Sequence, residues 1–168
     1  MEIFIIPKTL YTNIMSMELE NFCHKTFYDK NKQIEHTFAY YSLNKILKEK
    51  FNVKNTKIEY INKKPVLVSK EKYFSLSHSK EYIAIAISDY NCGIDIEKIK
   101  ERNYRAIAKR MKFNCDTPED FYKEWTKFEA EYKLNEAPKS VFEYKHGNYI
   151  ITAVSSNQKE SFKLSVQQ

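Results

Sequence analysis

Glycine is rare in this sequence: of 168 residues, only Gly93 and Gly147 are glycines. P-loops and the glycine-rich loops of dinucleotide-binding folds each need two or more glycines within a few residues, because their backbone must approach phosphate groups closely. Both kinds of loop are therefore excluded. Any phosphate has to be bound by side chains and by isolated backbone amides.

Cysteine and long apolar runs are scarce as well. The three cysteines, Cys23, Cys92 and Cys115, are odd in number and have neither C-x-x-C spacing nor a nearby histidine pattern, so they predict free thiols in a reducing compartment. The first ten residues contain four consecutive apolar residues but no basic region or small-residue cleavage site, and no segment approaches the ~18 apolar residues of a membrane span. We therefore expect a cytoplasmic protein with no membrane partner.

The chain does contain enough apolar residues to form a core. Hydrophobic residues make up 42% of it, which suffices for one domain or for two small halves that share a core. The formal net charge of +6 favours an anionic partner, since charge of one sign attracts ligands of the other. Nucleic acid, a phosphorylated cofactor and an acidic protein all fit this charge.

Two long helices are predicted from the spacing of apolar residues and from capping signals. The first spans about residues 33–50. The second has a marked start, because Thr117 can cap it, Pro118 suits its first position, and Glu119 complements the positive end of the helix dipole. We expect this second helix to end near Leu134.

Short strands account for much of the remaining chain. They are predicted around a turn at residues 62–65, within 81–90, at 93–97, and on both sides of a hairpin turn at 146–148. Isoleucines alternate with alanines in 81–90, so we expect the small-residue face of that strand to receive a closely packed helix. Strand, helix and strands, followed by helices and strands, is the order of an α+β protein.

The stretch "GIDIE" places two carboxylates close together. In an extended chain Ile94 and Ile96 share one face, while Asp95 and Glu97 share the other. Neighbouring carboxylates repel each other, and the usual remedy is a nearby lysine or a divalent metal ion. The alternative is a half-buried strand with its acidic face in solvent, a pattern that any strand over a core can show.

The second predicted helix supplies a cation. Trp125, Glu129 and Lys133 recur every four residues and form one stripe along it. Taken alone, Glu129 and Lys133 are an ordinary surface ion pair worth ~0.3–0.5 kcal/mol. Beside Asp95 and Glu97 they become candidates for a functional site.

The blocks "FSLSHS", "GIDIE" and "WTKFEAEYK" occur in this order, with "KKP" upstream and "AIAKRM" between the last two. The ordered set resembles the phosphopantetheinyl transferases of the Sfp-type branch, over roughly residues 36–135. The resemblance implies a magnesium-dependent enzyme that transfers the 4′-phosphopantetheine arm of coenzyme A to a serine of an apo acyl or peptidyl carrier protein. Adenosine 3′,5′-bisphosphate would be released.

The resemblance also implies a fold of two similar α/β halves related by a pseudo-twofold axis, with the active site between them. Residues 1–90 would form the N-terminal half, which binds coenzyme A. Residues 91–168 would form the C-terminal half, with the metal site and the catalytic helix. The chain would act as a monomer and without a nucleic-acid partner.

Site residues follow from the matched blocks. Oxygen ligands without histidine or cysteine suit Mg²⁺ better than zinc, and Asp95, Glu97 and Glu129 offer such ligands. Glu129 would take the proton from the carrier serine, directly or through a water. Lys133 would stabilise the leaving phosphate. The residues matched to coenzyme A contacts are Thr37, Lys64, Ser77 and His78.

One position departs from the family pattern. The family has a lysine directly before the helix glutamate, where this sequence has Phe128. The adjacent Lys127 is rotated by ~100° around the helix and is not expected to reach the same phosphate. Lys63 and Lys80 replace glycines that are common in the family. These changes would leave the metal site intact, but they could lower activity or alter which carrier is accepted.

Two other functions fit parts of the sequence. Asp95 followed by Glu131 and Lys133 imitates the D…E-x-K motif of metal-dependent nucleases, and the positive charge would suit a nucleic acid. That motif needs its glutamate and lysine on a strand, whereas two positions on a helix diverge by ~200°. A non-catalytic basic module for RNA or an acidic protein would give Asp95, Glu97 and Glu129 no reason to converge.

Overall fold

The computed structural model describes residues 1–13, 28–101 and 103–167 of the protein. Its elements in chain order are β1 (Glu2–Pro7), a 3-10 helix (Lys8–Asn13), α1 (Lys30–Phe51), β2 (Ile58–Ile61), β3 (Lys64–Leu67), β4 (Tyr73–Ser79), β5 (Tyr82–Ser88), β6 (Cys92–Lys98), α2 (Arg105–Met111), α3 (Pro118–Leu134), β7 (Ser140–His146), β8 (Tyr149–Ser155) and β9 (Lys163–Val166). The α+β class and both predicted long helices, α1 and α3, are confirmed. Cys92 and Cys115 are free thiols as predicted, while Cys23 lies outside the described residues.

The strands form two sheets and a separate hairpin. The first sheet has the order β4-β5-β1-β9, in which β9 runs parallel to β1 and the other neighbours are antiparallel. The second sheet, β6-β8-β7, is antiparallel throughout, and β2 pairs only with β3. The first sheet thus combines early strands with the late strand β9. The division of the chain into halves near residue 90 stays a prediction.

Helix α1 begins at a capped end. The Asp29 carboxylate accepts hydrogen bonds from the backbone N–H groups of Asn31 (2.8 Å) and Lys32 (3.4 Å), which have no partner within the helix. The helix ends at Asn52, whose φ of 53° turns the chain out of the helical path. In the described ranges, no helix is long and apolar enough to cross a membrane.

The alanine face of β5 does not receive a helix, so that prediction is wrong. Ala84 and Ala86 belong to the apolar layer between the two sheets, together with Ile94 and Ile96 of β6. Helix α1 packs instead against the isoleucine face of β5. Small side chains allow any neighbouring element to approach closely, and here that neighbour is a second sheet.

Helix α3 has the predicted cap. The Thr117 hydroxyl oxygen accepts from the backbone N–H of Asp120 at 3.1 Å, and the Asp120 carboxylate accepts from the N–H of Thr117 at 3.1 Å. The two residues therefore form a capping box, with Pro118 following in the first turn. This cap determines where α3 begins.

Gly93 allows α3 to lie directly on β6. A Cβ atom at this position would sit 2.0 Å from the carbonyl oxygen of Ala130 and 3.0 Å from the backbone nitrogen of Leu134. No side chain fits into this gap, so the close contact of strand and helix requires glycine. The contact places Asp95, two residues further along β6, beside Lys133 near the end of α3.

Candidate active site

Serine side chains join β4 to β6, two strands that lie at the edges of different sheets. Ser75, Ser77 and Ser79 alternate along β4 and share one face of it. Their hydroxyl oxygens accept hydrogen bonds from alternate backbone N–H groups of β6: those of Ile94 (3.1 Å), Ile96 (3.4 Å) and Lys98 (3.0 Å). The serines thus satisfy donors that a neighbouring strand would otherwise satisfy. We call this row of contacts the serine seam.

Asp95 is almost fully enclosed, with 8% of its side chain exposed. Its Oδ1 accepts hydrogen bonds from Ser77 Oγ (2.7 Å) and Lys133 Nζ (2.7 Å). Its Oδ2 is buried and has no hydrogen-bond partner among the described residues. A buried carboxylate oxygen without a partner is costly, so Oδ2 is available to a cation or a hydrogen-bond donor.

Lys133 reaches Asp95 from helix α3. Its Nζ also donates to the carbonyl oxygen of Ile94 at 2.9 Å. These two contacts hold the ammonium group over β6, where the glycine at position 93 lets strand and helix approach. The structure therefore brings Ser77, Asp95 and Lys133 into direct contact.

Glu129 is half-buried, one helical turn before Lys133. Burial raises the pKa of its carboxyl group, and the negative charge of Asp95 raises it further, whereas Lys133 lowers it. Both partners are thus close enough to act on Glu129 electrostatically. A raised pKa makes the ionised carboxylate a better proton acceptor and favours the approach of a cation.

Glu97 lies on the same face of β6 as Asp95 and is half-buried. Its Oε2 accepts a hydrogen bond from Ser79 Oγ at 3.0 Å. The seam serines Ser77 and Ser79 therefore make equivalent contacts with the two carboxylates. Each donates its hydroxyl proton to a carboxylate and accepts the N–H group of the residue that follows this carboxylate.

His78 lies on the opposite face of β4 from the seam serines, toward α1. Its Nδ1 is 3.5 Å from Glu35 Oε2, and the other carboxylate oxygen of Glu35 accepts from Lys8 Nζ at 2.7 Å. Although 55% of its side chain is exposed, partial desolvation of the His78 ring lowers its pKa. The charges of Lys8 and Lys133 lower this pKa too, and those of Glu35 and Asp95 raise it. The charges of Asp95 and Lys133 thus act on the pKa of His78 in opposite directions.

Thr37 and Lys64 contact other partners. Thr37 is buried in α1, and its hydroxyl donates to the carbonyl oxygen of Gln33 at 2.8 Å. Lys64 of β3 donates to Asn91 Oδ1 at 2.6 Å, and Asn91 donates to the carbonyl oxygen of Leu134 at 2.9 Å. Burial lowers the pKa of Lys64. A coenzyme A contact for Thr37 and Lys64 stays a prediction.

Phe128, which stands in the place of the family's lysine, lies at the surface. It is 39% exposed, and its ring centroid lies 6.2 Å from that of Phe113 and 6.1 Å from that of Trp125. The side chain thus covers an aromatic cluster on α3 next to Glu129. Lys127 is exposed as well.

The oxygens of the site suit a hard divalent cation. Asp95, Glu97 and Glu129 offer carboxylates, and one oxygen of Asp95 is buried without a partner. In the part of the chain that the structure describes, no three His, Cys, Asp or Glu side chains are grouped closely enough to hold a metal ion. The magnesium site formed by these three carboxylates therefore stays a prediction, supported by the chemistry of its oxygens.

The metal site of a nuclease would need a different geometry. Glu131 and Lys133 both lie on α3, where positions two apart diverge by ~200°. Because Lys133 contacts Asp95, Glu131 is directed away from that carboxylate. The D…E-x-K arrangement is therefore not formed.

Three side chains around the site were not predicted from the sequence: Ser79, Glu35 and Lys8. The signal for Ser79 is present, since serines at alternate positions of a strand share one face and predict a row of polar contacts. No local pattern connects Lys8 with Glu35, because these residues are 27 positions apart and meet only through the tertiary fold.

Comparison with known proteins does not assign the chain to a family. The sequence matches none of the protein-family models with which it was compared, and no curated protein matches it significantly. The likeness to phosphopantetheinyl transferases therefore rests on the ordered motif blocks, and any function has to be argued from the site itself.

Proposed function

We propose that the protein transfers the 4′-phosphopantetheine arm of coenzyme A to a serine of an apo acyl or peptidyl carrier protein. The serine oxygen would form a bond to the phosphorus that bears the pantetheine arm. The diphosphate bond of coenzyme A would break, and adenosine 3′,5′-bisphosphate would leave. One observation carries the proposal: Lys133 contacts the buried Asp95 at 2.7 Å, and the half-buried Glu129 lies one helical turn away from Lys133.

Glu129 would accept the proton of the carrier serine. Its partial burial and the charge of Asp95 raise its pKa, which strengthens it as a base at neutral pH. Proton transfer by such a positioned group contributes roughly 10²–10⁴-fold to a reaction rate.

Lys133 would stabilise the negative charge that develops on the leaving phosphate. Its ammonium group is held by Asp95 and by the carbonyl oxygen of Ile94, and 28% of the Lys133 side chain is exposed. A donor held by the protein and still open to solvent can meet an anionic ligand without prior rearrangement.

Mg²⁺ is the metal that the carboxylate set fits. Asp95, Glu97 and Glu129 would hold it, with Asp95 offering its unpartnered Oδ2. When bound, the ion would neutralise the diphosphate and polarise the phosphorus under attack. The protein's own part would be to bring these oxygens together against their mutual repulsion.

Coenzyme A would be bound by His78, with Thr37 and Lys64 as further candidates. His78 and Lys8 lie on the same side of β4 around Glu35, and together they can offer donors to a phosphate. In the proposed enzyme the two halves would be related by a pseudo-twofold axis, and a monomer would act in the cytoplasm.

A transfer assay tests the proposal. The protein is mixed with coenzyme A, Mg²⁺ and a panel of apo carriers, and the carriers are weighed by mass spectrometry. We expect the mass of at least one carrier to rise by that of the phosphopantetheine arm, and this gain should disappear when EDTA is added or when the acceptor serine is replaced by alanine. No mass gain on any carrier would reject the proposal, and magnesium-dependent cutting of added DNA or RNA would favour the nuclease.

A further inference from the structure

We infer that Ser77 and Ser79 are positioning residues that orient the carboxylates of Asp95 and Glu97 for a divalent cation. This inference rests on the proposed function, since it concerns the same site. It assigns to Ser77 a role different from the coenzyme A contact that the motif resemblance implies, and it assigns a role to Ser79, to which the resemblance gives none.

The geometry of the serine seam carries the inference. Ser77 Oγ donates to Asp95 Oδ1 at 2.7 Å, and Ser79 Oγ donates to Glu97 Oε2 at 3.0 Å. Each hydroxyl is also held by a backbone N–H group of β6, so its proton is aimed by the strand itself. A serine hydroxyl has one proton to donate, and here each proton is used on a carboxylate.

The two carboxylate oxygens of Asp95 differ in their contacts. Ser77 and Lys133 both bind Oδ1, and Oδ2 is left buried without a partner. The hydrogen bond from Ser77 thus restricts the rotation of the carboxylate and engages Oδ1, so that Oδ2 is not used by the seam. Carboxylates that bind metal ions are commonly oriented by such outer hydrogen bonds, and loss of one typically lowers metal affinity by roughly 10–100-fold.

The third serine of the seam is a built-in control. Ser75 accepts the N–H group of Ile94 at 3.1 Å, as its neighbours accept theirs. The position of β6 that corresponds to Asp95 and Glu97 at this end of the face is Gly93, which has no side chain. Ser75 therefore has the structural role of the seam without contact to a carboxylate, and like Ser79 it is buried.

The test compares Ser75→Ala, Ser77→Ala and Ser79→Ala in the full chain. Mg²⁺ is titrated alone by calorimetry, and stability is measured by urea denaturation without metal. All three variants should lose stability, because each leaves one N–H group of β6 without its acceptor. Ser77→Ala and Ser79→Ala should lose more than Ser75→Ala, because each also removes the hydrogen bond to a carboxylate. Only Ser77→Ala and Ser79→Ala should bind Mg²⁺ about 10-fold more weakly or worse. Ser79→Thr keeps the hydroxyl and should restore most of the affinity.

Several outcomes would overturn the inference. Equal Mg²⁺ affinities for all three alanine variants would leave the serines a purely structural role, as would the absence of Mg²⁺ binding by the unaltered protein. A Ser77→Ala variant that binds coenzyme A weakly without metal but Mg²⁺ normally would restore the phosphate-contact role to Ser77. If Ser77→Ala does not fold, the Mg²⁺ affinities of Ser79→Ala and Ser79→Thr, compared with that of Ser75→Ala, still decide whether a seam serine positions a carboxylate.

The transfer assay separates this inference from the proposed function. If no carrier is modified but the serine variants differ in Mg²⁺ affinity as expected, the proposed function fails and the positioning role stands. If a carrier is modified and the three variants bind Mg²⁺ equally well, the proposed function stands and the positioning role fails.

Discussion

Asp95 combines features that are seldom found together in a purely structural residue. It is nearly inaccessible, it is ionically paired with Lys133, and one of its oxygens has no hydrogen-bond partner among the residues that the structure describes. A carboxylate that served only to pair with a lysine would be expected to use both oxygens. The arrangement uses Oδ1 for the contacts with Ser77 and Lys133, and the proposed function assigns Oδ2 to a cation.

Replacing Asp95 by Asn should therefore separate stability from function. Asn keeps the size and the contact with Ser77 but removes the charge that offsets Lys133. Because the lysine keeps its bond to the Ile94 carbonyl and is partly exposed, we expect a loss of about 1–3 kcal/mol of unfolding free energy, less than for a fully buried pair. Mg²⁺ binding and phosphopantetheine transfer should be abolished. Urea denaturation measures the change in stability, calorimetry measures Mg²⁺ binding, and the carrier assay measures transfer.

The control for this change is Asp89→Asn, which breaks an ion pair with Lys72 on a carboxylate that is 70% exposed. Exposed pairs contribute little, so stability should change by less than ~1 kcal/mol and Mg²⁺ binding should not change. Near-normal Mg²⁺ affinity in Asp95→Asn would show that the metal site is assigned to the wrong residues.

His78 should make the protein less stable in acid. Partial burial and the charge of Lys8 lower its pKa in the folded protein. At pH values between this lowered pKa and the pKa of the unfolded chain, the unfolded chain therefore binds more protons than the folded protein does. Stability is therefore lost as the pH falls below about 6.5, the usual pKa of histidine. In His78→Gln this contribution is absent. We expect the unaltered protein to lose more stability between pH 8 and pH 5 than the variant does, as measured by urea denaturation at both values.

Glu35 and Asp95 act against this shift in the pKa of His78, and both remain in the variant. The difference between the two proteins therefore isolates the histidine from the other groups that titrate over the same range. An identical loss of stability in both proteins would mean that His78 is protonated in the folded state as readily as in the unfolded chain.

At the scale of elements, the contact between β6 and α3 decides where the site residues meet. It depends on Gly93, where a Cβ atom would collide with backbone atoms of α3 rather than with a flexible side chain. Gly93→Ala should therefore force the helix away from the strand and lower the unfolding free energy by about 3 kcal/mol or more. It should also weaken Mg²⁺ binding, since Lys133 and Glu129 move with the helix.

Gly147 in the β7–β8 turn is the matched control, because no heavy atom of the described residues, apart from its two chain neighbours, lies within 4 Å of a Cβ added there. Its φ of 54° makes alanine unfavourable by roughly 1–2 kcal/mol through backbone strain alone. Gly147→Ala should leave Mg²⁺ binding unchanged. A loss of stability no larger in Gly93→Ala than in Gly147→Ala would show that β6 and α3 can separate at little cost.

The exposed position of Phe128 predicts that a lysine is tolerated there. Phe128→Lys loses the contacts with Phe113 and Trp125, for which we expect a cost of about 0.5–1.5 kcal/mol. The long stem of lysine lets its ammonium group stay in water. A cation next to Glu129 should tighten coenzyme A binding, which titration calorimetry can measure.

Tyr132→Lys adds the same charge one helical turn further along, at a residue that is 74% exposed. A smaller gain in affinity is expected for this variant, because the effect of a charge falls with distance in water. Equal gains would mean that general attraction, and not the position of residue 128, strengthens binding. A much larger loss of stability for Phe128→Lys would mean that its ring is part of the core.

At the scale of the whole molecule, local signals predict elements better than they predict how those elements meet. The capping box at Thr117 and the serines of β4 are short-range patterns, so both can be found in the sequence. The contact of Lys8 with Glu35 and the pairing of β9 with β1 join distant segments and leave no local trace. The alternation in β5 identified a face of small side chains, but the helix predicted to pack on it was wrong, because the partner is a second sheet formed by distant residues.

The apolar layer between the sheets predicts that the described part of the chain unfolds as one unit. Ile3 and Ile5 of the first sheet share this layer with Ile94, Ile96 and Ile151 of the second. Neither sheet keeps this face buried without the other, so unfolding should be two-state. The fluorescence of Trp125, the single tryptophan, reports on α3 in the C-terminal half, while far-UV circular dichroism reports on the whole chain. Their urea transitions should coincide.

Ile5→Ala sharpens this prediction, because it removes a fully buried side chain from the first sheet and leaves α3 untouched. Large-to-small changes of this kind cost about 2–5 kcal/mol. If the two sheets unfold together, the transition seen by Trp125 should move to lower urea by the same amount as the transition seen by circular dichroism. A Trp125 transition that does not move would show that the halves on either side of residue 90 unfold independently, and the coupling of the sheets through their shared layer would have to be abandoned.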